Sequence, residues 1–121
     1  MSASIYYKVE REMPLSQSEI TALQTIASRY SVDREIETYM YTGVGHNWES
    51  FDLRVNPQPG VILEGATKLP DNTESAMWEG VQHWCACLSE LRRALPRSVW
   101  HVTIDDYEIP WNSAKNAFDP G

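Results

Sequence analysis

Apolar and polar residues alternate near the start of the chain, with Ile5, Tyr7 and Val9 on one side and Tyr6, Lys8 and Glu10 on the other. A period of two describes a strand covered on one face. Pro14 interrupts it, and Ser16 followed by Glu19 is a capping-box signature. Behind the box Ile20, Leu23, Ile26, Ala27 and Tyr30 recur at helical spacing, predicting a helix over residues 17–30. Residues 36–42 are rich in aromatic and β-branched side chains and predict a second strand. Phe51, Leu53 and Val55 alternate with Asp52 and Arg54, predicting a third over 50–56. A Pro- and Gly-rich turn at 56–60 then leads to a short strand over 61–65, able to close a hairpin with it.

A second capping pair, Asp71 and Glu74, precedes an apolar stripe of Met77, Val81, Trp84, Leu88, Leu91 and Leu95, which Pro96 ends. Residues 99–105 read as a strand with Trp100, Val102 and Ile104 on one face, and residues 107–121 as a C-terminal tail. The order is β-α-β-β-β-α-β. Two one-sided helices and a mostly antiparallel sheet predict an α+β two-layer sandwich with both helices on one face. A ferredoxin-like split β-α-β with an extra strand fits, as do other strand orders.

The 121 residues are expected to form one domain, 1–121, with an ordinary apolar fraction. Charge changes the picture more. The net charge is -7, and from Ser98 onward only Lys115 opposes Asp105, Asp106, Glu108 and Asp119. Such a chain repels phosphate backbones and anionic lipid surfaces, which argues against nucleic-acid and membrane partners. It favours a basic protein partner. No apolar run reaches the length of a membrane span, and Met1 begins no basic-then-apolar leader. Cys85 and Cys87 diverge if they share a helix, so reduced thiols and a cytoplasmic setting are expected.

Candidate chemistry is sparse. His83 and Cys87 share a helical face, but Cys85 points elsewhere and no further thiol completes a metal site, so Cys85 reads as an apolar filler. His101 could meet a carboxylate from a neighbouring strand and act as a base; the plain alternative is a hydrogen-bonded strand histidine. The glycine-rich stretch around Gly43, Gly45 and His46 lacks the third glycine of a dinucleotide loop and the lysine of a phosphate loop, and reads as a connection. No cofactor or metal is expected.

The sheet face turned away from the helices is the candidate site. Its outward set mixes tyrosines with charges, the composition of a protein-binding surface or of a plain solvated sheet face. The expected contact residues are Tyr6, Tyr39, Tyr41, Asp52, His101, Asp105, Asp106, Glu108 and Trp111. Trp48 and Trp111 fall in loop or tail, where a tryptophan either anchors a partner or folds back on the core. Three classes of function follow. The first is an immunity- or antitoxin-type inhibitor that neutralises a basic toxin or effector enzyme by direct binding. The second is a subunit of a homo- or hetero-oligomeric assembly, a homodimer included. The third is a small enzyme with a histidine/carboxylate site.

Overall fold

The computed structural model describes residues 3–56 and 58–121; Pro57, within the expected turn, lies outside the described residues. Strand β1 (Ser4–Arg11) follows its alternation closely: Ile5, Tyr7 and Val9 are buried while Tyr6 and Lys8 are exposed. Helix α1 (Gln17–Arg29) starts at the capping box read from sequence, with Glu19 N–H donating to Ser16 Oγ at 3.2 Å and Ser16 N–H to Glu19 Oε1 at 2.9 Å. Glu19 also takes a bidentate grip from Arg11, 2.8 Å to each carboxylate oxygen, while Arg11 donates to the Met13 and Pro14 carbonyls. One carboxylate thus ties the end of β1 to the start of α1.

The next element departs from expectation. Residues 36–42 are not a strand but belong to helix α2 (Asp33–Thr42). Asp33 and Glu35 lie in its first turn, where the helix dipole favours anions. Gly43 ends it at φ 71°, its N–H donating to the Tyr39 carbonyl at 2.8 Å. Ile36 and Tyr39, three apart, turn inward and are half-covered; local helix signals outweigh the β-propensity of the aromatic residues.

Strand β2 (Gly60–Lys68) is longer than expected and pairs with β1 along its length, with a bulge at Val9/Glu10. Residues 50–56 run extended beside β2 without forming a ladder strand, joined to it by the Val55–Leu63 bridge. Two of their N–H groups go to side chains instead, Asp52 N to Thr67 Oγ1 at 3.3 Å and Arg54 N to the Tyr7 hydroxyl at 2.9 Å, while Asn56 N still reaches the Ile62 carbonyl at 2.9 Å. Helix α3 (Ala76–Ala94) buries Val81, Trp84, Leu88 and Leu91. Its N-cap is Ser75, not Asp71, whose carboxylate is engaged by Asn47.

Strand β3 (Val99–Ile104) pairs antiparallel with the other side of β1, and β4 (Tyr107–Glu108) folds back on β3. The sheet order is β2-β1-β3-β4. β2, α3 and β3 therefore make a split β-α-β unit with β1 inserted between its strands. Residues 107–121, read from sequence as a tail, carry β4 and a small hairpin of β5 (Trp111–Asn112) and β6 (Ala117–Phe118). Phe118 is buried, and its N–H donates to Ser89 Oγ on α3 at 2.9 Å. The α+β sandwich holds, with three helices among the described residues and the order β-α-α-β-α-β-β-β-β. None of these helices is long and apolar enough to cross a membrane.

One inward position on β2 has no side chain. Gly65 lies opposite Tyr7, and a Cβ there would come within 2.6 Å of the Tyr7 hydroxyl and 2.9 Å of the Asp52 carbonyl oxygen. Both are held in place, so Gly65→Ala is expected to destabilise the fold by about 1–3 kcal/mol, the range for overpacking a filled core. Urea unfolding of the variant beside the parent measures it.

Acid should weaken the link between β1 and α1. The Arg11 guanidinium and the Ser16 backbone hold the Glu19 carboxyl at about 2, below its ordinary 4.5. A carboxyl depressed on folding stabilises above its unfolded value, and that stabilisation fades as pH falls from 4.5 toward 2. The expected outcome is that Glu19→Gln unfolds more easily near neutrality, with the difference from the parent shrinking across that window. Unfolding midpoints at a series of pH values test it.

Candidate functional site

α1 and α3 cover one face of the sheet: Leu23 and Ile26 from α1 and Trp84, Leu88, Leu91 and Leu95 from the α3 region join Ile5, Tyr7, Val9, Trp100 and Val102 in one core. On the other face the register sets side chains in rows across the strands. Ala66, Tyr6, Thr103 and Glu108 form one row; Glu64, Lys8 and His101 form the next. Glu10 and Val99 stand opposite each other beyond them. Tyr6, Lys8, Glu64, Ala66, Val99, His101 and Glu108 are all exposed.

His101 sits between two carboxylates: Nε2 is 3.4 Å from Glu10 Oε1 and Nδ1 is 3.8 Å from Glu108 Oε1. A strand histidine with carboxylates on the neighbouring strands is the arrangement anticipated from sequence. The two carboxylates approach opposite ring nitrogens, so they cannot converge with the imidazole on one ion. Because the ring is half-exposed and so is Glu10, each pair is solvent-screened and contributes little to stability. The face carries Glu10, Glu64 and Glu108 against Lys8 and, in the row of Ser4, Lys68, a slight acidic excess on rigid strand positions.

The expected contact residues separate. Tyr6, His101 and Glu108 share the open face, and Glu10, Glu64 and Lys8 belong with them. Glu10 and Lys8 were legible in the alternation of β1; Glu64 lay within the strand expected over 61–65, but the continuous apolar run Val61-Ile62-Leu63 before it gives no alternation to assign it a face. Asp105 and Asp106 form the two-residue turn between β3 and β4, with Asp105 at φ 50° and one of its carboxylate oxygens accepting the Ser4 N–H at 3.3 Å. Asp52 lies instead along the far edge beside β2, paired with Arg54 at 2.6 Å. Tyr39 and Tyr41 are on α2 and not on the sheet. Trp111 is folded back, its ring under the Arg92 guanidinium at 4.2 Å and edge-on to Phe118. Trp48 likewise packs edge-on against His83 and Trp84.

The histidine-bearing loop serves as a clasp. Asn47 Oδ1 accepts from Asp71 N at 2.8 Å and Asn72 N at 3.2 Å, its Nδ2 donates to Asp71 Oδ1 at 2.8 Å, and its own N–H donates to Asn72 Oδ1 at 2.9 Å. His46 adds Nδ1 against Thr73 Oγ1 at 3.1 Å and Nε2 against Glu79. The Asn47 and His46 bonds lower the carboxyls of Asp71 and Glu79 respectively. His83 spends its Nε2 on the Tyr30 carbonyl at 2.8 Å, and burial pushes the Cys85 and Cys87 thiols up to about 12. Thiols held protonated in this way are poor nucleophiles and poor ligands.

Compared with protein-family models, curated proteins and solved structures, the chain matches none.

Asn47→Ala removes the three side-chain hydrogen bonds of the clasp while leaving the sheet untouched. Its expected cost is about 1–3 kcal/mol, because the amides of Asp71 and Asn72 lose their acceptor. Hydrogen exchange should show those two amides losing protection while the β1 amides keep theirs.

Proposed function

We propose that the protein is a protein-binding module whose uncovered sheet face takes a basic partner. In its specific form it is an immunity- or antitoxin-type inhibitor that covers the cationic active site of a toxin or effector enzyme. The observation that carries the reading is the open face itself. Tyr6 and Val99 stand exposed among Glu10, Glu64 and Glu108, on strands whose other side is locked into the core. Tyrosine supplies contact area at low conformational cost, and carboxylates on fixed strand positions stand in for phosphates at a cationic site. The net charge of -7 steers a basic protein toward the chain and disfavours self-association through the same face.

The test is a pull-down from the native cells with the parent chain and with Glu10→Lys/Glu108→Lys. A stoichiometric basic protein, lost at high salt and bound at least about tenfold more weakly by the double variant, is the expected result. Equal binding and equal salt dependence for the two chains would falsify the assignment to this face.

A further inference from the structure

We infer that α2 carries a second contact surface, on the helical side of the molecule, that inserts into an apolar groove rimmed by Lys or Arg on a partner protein. No residue of α2 is buried. Glu37, Met40 and Tyr41, at i, i+3 and i+4, share a face and surround a shallow cleft. Met40 is 79% exposed, Tyr41 84%, and Val44, just past the helix end, 70%. An isolated exposed apolar side chain is unremarkable; three large ones within five positions, at the end of one helix, mark an interaction surface.

The patch is also held ready. The Gly43 N–H closes the last turn on Tyr39 O, Thr42 Oγ1 donates to Thr38 O at 2.7 Å, and Val44 N–H donates to Thr42 Oγ1 at 3.1 Å. A few residues on, the Asn47 clasp fixes the chain to residues 71–72. A surface ordered before binding loses little freedom on binding.

Charge and size choose the occupant. α2 carries Asp33, Glu35 and Glu37 against Arg34, with no basic residue in its last turn. A groove around it must therefore offer positive charge at its rim. A second copy would set Glu37 and its neighbours against their own kind. Three side chains also fall far short of the roughly 800 Å² per partner that a stable symmetric contact buries. An amphipathic helix in a groove needs only such a short set of anchors.

The experiment places photoreactive p-benzoylphenylalanine at Tyr41 of the full chain in its native cells and maps the cross-linked peptide. The expected product is one partner protein, cross-linked within an apolar groove flanked by Lys or Arg. Its yield should fall at least tenfold with either Met40→Asp or Val44→Asp, while urea midpoints stay at the parent value because both side chains lie in solvent. A cross-link to a second copy, a product that survives both substitutions, or no product overturns the inference. The Glu10→Lys/Glu108→Lys chain, run alongside, reports on the open sheet face alone, so the two readings fail separately.

Discussion

The buried hydroxyl of Tyr7 holds the sheet's far edge in place. Tyr7 sits on the central strand, points into the core and is 2% exposed. A hydroxyl so placed must find partners inside the protein. It finds both in one irregular segment, donating to the Asp52 carbonyl and accepting from the Arg54 N–H. Burial pushes its pKa up to about 12, so it remains a donor at any ordinary pH. The same ring stacks on Phe51, which packs on Trp84 of α3. One side chain thereby joins the central strand, the segment beside β2 and the long helix, and the missing Cβ of Gly65 makes room for it.

That arrangement determines which surfaces stay open. Residues 51–55 occupy the flank of β2, β4 caps one end of β3, and the hairpin of β5 and β6 closes over α3. The open sheet face and the outer side of α2 remain uncovered, and both combine aromatic or aliphatic side chains with an excess of carboxylates. They differ in kind. The sheet face is broad and sets charged side chains among Tyr6, Ala66, Val99 and Thr103, suited to steering and register. The α2 patch is small and apolar, suited to anchoring.

Much of the fold was legible because period and burial agree. β1, α1, α3 and β3 each expose one face and bury the other, and the Ser16/Glu19 box marked its helix start within a residue. The misses have separate physical causes. Residues 36–42 carry strand-like side chains, but Asp33, Glu35 and Gly43 are helix start and stop signals that decide the conformation. The alternation of Phe51, Leu53 and Val55 reported the buried side correctly; it could not report that Tyr7 and Thr67 side chains would replace a backbone partner. Asp71 and Glu74 imitate a capping box, yet Asn47, distant in sequence, claims Asp71. Three of the anticipated contact residues meet on one face because strand register brings them there. Tyr39 and Tyr41 went with the misread helix, and Trp111 was drawn back by Arg92 and Phe118.

The position of β1 at the centre of the sheet has a consequence for how the chain reaches this form. β1 leaves the ribosome before both of its sheet neighbours: Ile5 pairs with Thr67 on one side and Ile104 on the other. Contacts of such long sequence separation make folding slow compared with a helical bundle of this length. Until residue 104 has emerged, Ile5, Tyr7 and Val9 have at most half of their sheet, and a sticky strand with open edges is the species that aggregates. Lys8, between Tyr7 and Val9, and Glu10, just after Val9, put charge on alternate positions of the waiting strand. The side chains that later face outward thus guard the nascent chain before they have any folded surface to belong to.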